Sequence, residues 1–338
     1  MKPALLPASA LLASAFLCAG AAQPPAPAAA DLPELSVVAP PQAPKTEIKS
    51  GGWVFSLIPR SMQKNPKVEM TVITEMTDDG KRLPAVTPAH PAYYLGQSGG
   101  FHSIGDGPSD AKAPPPDALS DMLKKALAAN GYLTAQPPAQ PPSVLIVYIW
   151  GAHYALHPEE DDSISPEAVM RNILDRASLV GGAKFAQELQ KLFEQKADMI
   201  QANTPPPVPD DPSGLVKPIN PILDQDAIDA ADPIRLFAQQ SPKNAFIIDQ
   251  AFDDVYYVVA SAYDYQAIGQ HQRKLLWRTR MTVDSKGVAM LDTIPTLIDT
   301  AAPYFGREMD EPETLMKHAL KEGKVEVGTP TVVEPGKK

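Results

Sequence analysis

Cysteine is almost absent: Cys18 is the only one among 338 residues, and it sits inside an apolar N-terminal run. A single thiol excludes an intrachain disulfide framework and a multi-thiolate zinc site. Loss of the run would also exclude a cysteine nucleophile. Basic excess is lacking as well. Thirty Lys and Arg face 40 Asp and Glu, a formal net charge of −10 that becomes −11 if Lys2 leaves with the first 22 residues, which hold no Asp or Glu. Nucleic-acid affinity comes mostly from neutralising phosphates, so this balance argues against a nucleic-acid partner. There is no internal repeat, and the glycines from Gly96 to Gly107 lack the Lys-Ser/Thr pair of a phosphate-binding loop.

What the N-terminus does contain is an export layout. Lys2 precedes an uncharged Ala/Leu run through Cys18 to Ala19-Gly20-Ala21-Ala22: a positive start, an apolar stretch and a small-residue cleavage site. Three fates follow from it. Cleavage after Ala21 or Ala22 releases a soluble chain; acylation makes Cys18 a lipidated N-terminus; an uncleaved run of about 18 apolar residues anchors the chain in a membrane. Phe16 and Leu17 stand where a lipobox has small residues, and Pro7 interrupts the apolar run, so cleavage is favoured. The chain is expected in the periplasm or in association with the outer membrane, touching a membrane only if Cys18 is acylated or the signal stays on.

Proline punctuates the rest, 38 in all. Residues 23–50 begin with a Pro/Ala-rich, nearly uncharged leader, and residues 23–44 favour extended polyproline II. At about 3.1 Å per residue that stretch reaches roughly 70 Å, enough to act as a tether. Residues 51–323 read as one α/β domain with long proline-bearing loops at 84–116 and 204–221, and 324–338 as a flexible tail. Within the domain, Val68–Thr77 alternates as a half-buried strand. Asp117 starts an amphipathic helix that stops at Asn130-Gly131, and Val144–Trp150 (VLIVYIW) reads as a central strand covered on both faces.

Ser165-Pro166-Glu167 opens a helix to Val180, Gly181-Gly182 interrupts it, and a second helical segment runs from Ala183 to Gln201. Further helices start at Asp232-Pro233 and near Ala245. Val255–Tyr265 and Arg273–Val283 form an antiparallel hairpin, and a helix over Leu291–Phe305 covers the sheet. This order predicts a layered α/β sandwich with a mixed, partly antiparallel sheet and helices packed on one main face.

Several residue groups invite a chemical reading. His153 and His157, with Glu159 and Asp161 just beyond, are the densest set of metal-ligand types. Their spacing serves one ion only on a helix, because strand residues four apart stand about 13 Å apart, and Pro158 opposes that helix. The plainer reading is a solvated acidic loop ahead of the Ser165 cap.

Gly96-Gln97-Ser98-Gly99-Gly100 echoes glycine-flanked nucleophilic serines, but no helix pattern follows as a strand-to-helix elbow requires. Asp224, Asp226, Asp229 and Asp232 lack the glycine and terminal glutamate of a calcium loop. Lys274, Arg278 and Arg280 alternate along one strand face and form a candidate interaction surface; the alternative is that they pair with Glu69 and Glu75 across a neighbouring strand. No residue set is assigned as catalytic or cofactor-binding, and no cofactor is expected.

The helix from Leu119 to Tyr132 ending in Gly131-Tyr132, the VLIVYIW strand and the late strand carrying Trp277 resemble bacterial envelope lipoprotein domains of unknown function. The resemblance covers roughly residues 117–283 and departs from those lipoproteins at the residues before Cys18. It implies an envelope location and an α/β sandwich, and brings no catalytic residues. The reading at this level is a non-enzymatic exported protein acting through a surface, with an envelope protein or the cell wall as partner. The alternative is a secreted hydrolase or metal-dependent enzyme using the His153–Asp162 loop.

Overall fold

The alternation in Lys67–Met76 becomes a strand (β1) because one side chain in two is apolar, and Val68, Met70 and Val72 are fully buried on one face. β1 is the sixth of seven strands in one mixed sheet. The structure is a computed structural model that describes residues 59–63, 66–105, 107, 113–159, 163–204 and 229–319. These lie in one compact unit, Ala43–Lys338. Cys18, the leader and the tail fall outside the described residues.

The strands are β1, β2 (Ala92–Ile104), β3 (Tyr132–Thr134), β4 (Val144–His153), β5 (Val255–Asp264), β6 (Leu275–Asp284) and β7 (Glu313–His318), in spatial order β3-β2-β4-β5-β6-β1-β7. β2 runs parallel to β3 and β4, and every other pairing is antiparallel. The parallel step from β2 to β4 carries a crossover helix, α2 (Pro116–Ala128), as parallel neighbours require. Short α1 (Asp78–Arg82) follows β1. The long α3 (Pro166–Asn203), α4 (Pro233–Gln239) and α5 (Pro242–Phe252) precede β5, α6 (Tyr265–Gly269) lies in the β5–β6 connection, and α7 (Met290–Ala301) follows β6. The mixed α/β sandwich is therefore the architecture.

Two cores divide the molecule. On the main face of the sheet, Met70, Ile146, Trp150, Val258, Met281 and Val283 pack against Leu119, Leu123 and Leu127 of α2 and Ile294, Leu297 and Ile298 of α7. Each such side chain taken from water contributes about 1.5–3 kcal/mol. A second core joins α3, α4 and α5 through Ile173, Val180, Phe185, Leu189, Ile234 and Ile248. α3 lies over β1 and β6 on the opposite face of the sheet, so helices extend beyond the main face.

That opposite face is polar, and it is tied down by specific bonds. Thr71 and Thr282 are hydrogen-bonded across the β1–β6 pair, Thr282 donates to Gln250 of α5, and Gln250 donates to the Glu69 carbonyl. Glu75 accepts from Arg280, 7 % exposed, and from the backbone N–H of Ala183. Ala183 opens the second half of α3, because Gly182 breaks the helix at φ 81, a conformation glycine takes without strain. A Cβ there would also stand 2.9 Å from the Glu75 carboxylate and the Ile73 side chain. The double-glycine interruption is thus a bend that seats the helix on the carboxylate.

Three further expectations are corrected. Residues 84–116 are not a continuous loop: β2 occupies Ala92–Ile104, disguised by Gly96, Gly99 and Gly100, a register shift between Ser98 and Gly100, and exposure that removes any alternation. The VLIVYIW strand is flanked on both sides but not covered on both faces. Val144, Ile146, Tyr148 and Trp150 are buried, whereas Leu145, Val147 and Ile149 are half-buried because α3 lies over β1 and β6 rather than β4. The α2 start also shifts, to Pro116 with Pro115 as N-cap in place of Asp117.

Replacing Glu75 with Ala leaves Arg280 buried without its counter-charge and the Ala183 N–H without an acceptor. We expect a loss of about 3 kcal/mol in urea unfolding, with Glu75→Gln retaining part of it. Equal stability of Glu75→Ala and the parent would refute this account of the sheet–helix junction.

Candidate functional site

At the end of the sheet where β1 finishes, the chain builds a cleft. Thr77 caps α1 by accepting from the Gly80 N–H and ties itself to β6 by donating to the Leu275 carbonyl at 2.6 Å. Gly80 lets α1 press onto β6: a Cβ there would come within 2.1 Å of the Leu276 carbonyl oxygen. From α1, Leu83–Val86 run beside Trp277 of β6 and Tyr132 of β3, enclosing a cleft of about 260 Å³ lined also by Met76, Val144, Leu276 and Gly306.

Two of the lining residues are aromatic, Tyr132 and Trp277. Trp277 packs edge-on to Tyr132, with centroids 5.5 Å apart, and tilts against Phe305 at 6.1 Å. Burial pushes the Tyr132 hydroxyl up to about 12, so it stays neutral. Gly306 is at φ 66, and a Cβ there would strike the Tyr132 oxygen at 2.1 Å. At the rim, Lys81 pairs with Glu308 at 2.9 Å, and Glu308 also accepts from the Met76 N–H. Leu83 is 51 % exposed at the mouth. This is an apolar slot with a neutral phenol at its base and an ion pair at its edge. It can hold an apolar group and has no nucleophile–base pair among its lining residues.

The residues singled out from the sequence are dispersed. His153 ends β4 and is 1 % exposed, whereas His157 and Glu159 are exposed beyond it, in a stretch without helix. The helical spacing that one ion would need is therefore missing, and Asp161 lies outside the described residues. Arg176 donates toward His153 Nδ1 at 3.4 Å, to the Tyr154 carbonyl at 2.8 Å, to the Ala251 carbonyl at 2.9 Å and to Asn172 Oδ1. A guanidinium in front of Nδ1 leaves the proton on Nε2, which has no hydrogen-bond partner among the described residues. No group of three or more His, Cys, Asp or Glu could hold a metal among the described residues.

The basic stripe is likewise broken up. Arg280 is buried on Glu75, which removes it from any interaction surface. Arg278 donates to Ser261 Oγ at 3.0 Å, and Lys274 lies 3.4 Å from Asp79 at a second, open groove beside α1. The cross-strand pairing weighed as the alternative holds for Arg280 and Glu75; Glu69 instead lies near Arg60 and Asp284.

Ser98 sits on an exposed strand, accepting from the Gly100 N–H, and His102 Nε2 bonds the Gly99 carbonyl instead of the serine. Asp232 caps α4 and pairs with Lys196. Sequence reasoning missed the cleft and the Arg176 cluster. A signal for the latter existed, since Asn172 and Arg176 stand four apart on the stripe that carries Ile173, Ala177 and Val180.

No family model matches the chain, and no curated protein matches it.

His153 provides a pH test of the buried cluster. Desolvation and the Arg176 charge lower its pKa from 6.5 to about 4. Between those values the unfolded chain binds the proton and the folded chain does not. The stabilisation is complete above pH 6.5 and declines as pH falls to 4, by about 3 kcal/mol in all. Urea unfolding at pH 7, 5 and 4 should show this loss in the parent and a smaller one in His153→Gln. Parallel pH profiles would contradict it.

Proposed function

We propose that the chain is exported to the bacterial envelope and acts there by binding, without catalysis, using the cleft between α1 and Trp277 to hold an apolar group of an envelope partner. The observation that carries the reading is the cleft lining: Met76, Leu83, Val86, Leu276, Trp277 and Tyr132 converge on one mouth. Cavities with apolar walls and a few placed polar groups are where ligands dock. The fate of the ionisable groups supports binding over chemistry. Arg176, His153, Arg280 and Glu75 are consumed in holding helices to the sheet.

The export layout at Lys2–Ala22 supports the location. The route to the membrane is Cys18 acylation or an uncleaved signal. No helix among the described residues is long and apolar enough to cross a membrane.

Two measurements test the proposal separately. Intact mass of the protein recovered from bacterial envelopes should show a cut after Ala21 or Ala22, or diacylglycerol on Cys18; an unprocessed cytoplasmic chain refutes export. Anilinonaphthalene sulfonate should bind saturably and shift the Trp277 emission. Leu83→Glu should weaken it about tenfold, the equivalent of losing one partly buried leucine contact, at unchanged melting temperature. Equal affinity in the variant refutes the cleft.

A further inference from the structure

The two edges of the sheet are treated differently. At the β7 edge, Glu313, Lys317 and His318 place charged or titratable side chains along a short strand. Where β7 ends its pairing with β1, the chain closes the remaining edge. The Met309 N–H bonds the Thr74 carbonyl, the Thr74 N–H meets Met309 Sδ, and the Met76 N–H bonds Glu308. Charge, shortness and cover are the usual protections of a strand edge.

Among the described residues the β2 edge lacks permanent charge, shortness and cover; it carries one titratable side chain, His102, and one register shift, between Ser98 and Gly100. β3 pairs only with Ala92–Tyr94, and the last bond on that side is the Ala135 N–H to the Tyr94 carbonyl. From Leu95 to Ile104, β2 is bonded to β4 on one side and to no strand on the other among the described residues. Across its 13 residues there is no Asp, Glu, Lys, Arg or Pro. Large apolar side chains stand open along the same edge: Phe101 at 37 %, Ile104 at 43 % and Leu133 of β3 at 38 %. Internal packing explains Gly99, whose Cβ would strike Ile149. It does not explain Gly96, where a Cβ would meet only ordinary contact at 3.4 Å.

We propose that β2 pairs with β2 of a second copy of this chain, antiparallel about a two-fold axis, so that the sheet runs continuously through a dimer. Self-pairing sets each residue of a strand against the same strand reversed, and like charges directly opposite are destabilising. In a chain of net charge −10, an uncharged strand is the segment that meets its own copy without that penalty. The symmetric mate supplies the missing N–H and C=O partners and covers Phe101 and Ile104. The cleft at Trp277 lies outside this edge, so the dimer stands or falls independently of the binding proposal.

The test is the mass of the mature chain in solution, by light scattering after size exclusion and by sedimentation. The parent should run at twice the chain mass. A double variant, Gln97→Lys with Ser103→Lys, changes two exposed residues outside both cores; it should run at the single-chain mass, with dimer affinity reduced at least about tenfold. Its melting temperature and circular dichroism confirm that it folds. Mixing it with Gln97→Glu/Ser103→Glu should restore the doubled mass, a rescue that a misfolded variant could not give. A parent that is monomeric at every concentration overturns the proposal, as does a lysine variant that remains dimeric.

Discussion

The structure turns on the carboxylate of Glu75. It faces the buried guanidinium of Arg280 on the neighbouring strand and the Ala183 N–H at the start of the second half of α3. The first contact offsets a charge that burial would otherwise penalise, and the second places a negative group at a helix N-terminus, where the backbone N–H groups are unsatisfied. Both contacts require the helix to restart at that point, which Gly182 allows. From this junction the second core follows: α3 is fixed over β1 and β6, and α4 and α5 pack on α3. A second attachment lies within the first half of the helix, where Arg176 bridges the ends of β4 and α5 through the Tyr154 and Ala251 carbonyls. The long helix is therefore held by polar groups on a polar face, while α2 and α7 are held by apolar burial on the other.

The described chain enters β1 at Lys67 and leaves β7 at His318, residues paired with each other, and the Ala319 N–H bonds the Pro66 carbonyl. Both exits of the domain therefore share one end. The cleft lies where β1 finishes, at Met76, about 30 Å along the strand at roughly 3.3 Å per residue.

Most of the architecture was legible because the elements that form it bury a regular pattern. β1, β4, β5, β6, α3 and α7 follow periodicity and caps, such as Ser165 accepting from the Ala168 N–H with Pro166 behind it. β2 was hidden because neither of its faces is consistently buried beyond Leu95, so periodicity had nothing to report. Its strand character comes from backbone pairing with β4, which is tertiary. The short strands β3 and β7 are too brief for pattern to register. The cleft was illegible for a related reason: Leu83, Tyr132 and Trp277 come from three elements and meet only through the sheet order. Trp277 is legible as part of the late strand, but nothing local says that its neighbours leave room beside it.

The fate of the charged residues shows how a motif reading can mislead in this fold. Arg280 and His153 drew notice as a surface cation and a metal ligand because both residue types are usually exposed or functional. Each lies instead on a strand position that the pleat turns toward α3, and at such a position a charge is tolerated only with partners. Arg280 has Glu75. Arg176 has two carbonyls and an amide oxygen, and burial together with its charge keeps His153 neutral. Lys274, one residue outside the strand, is not enclosed and retains a loose contact with Asp79 across an open groove. What separates the three is the helix overhead, because the same alternation that places Arg278 and Arg280 on one face yields a half-buried group at one and an enclosed ion pair at the other. A strand charge is thus enclosed where a helix crosses it, as at Arg280, and stays open where none does, as at Lys274.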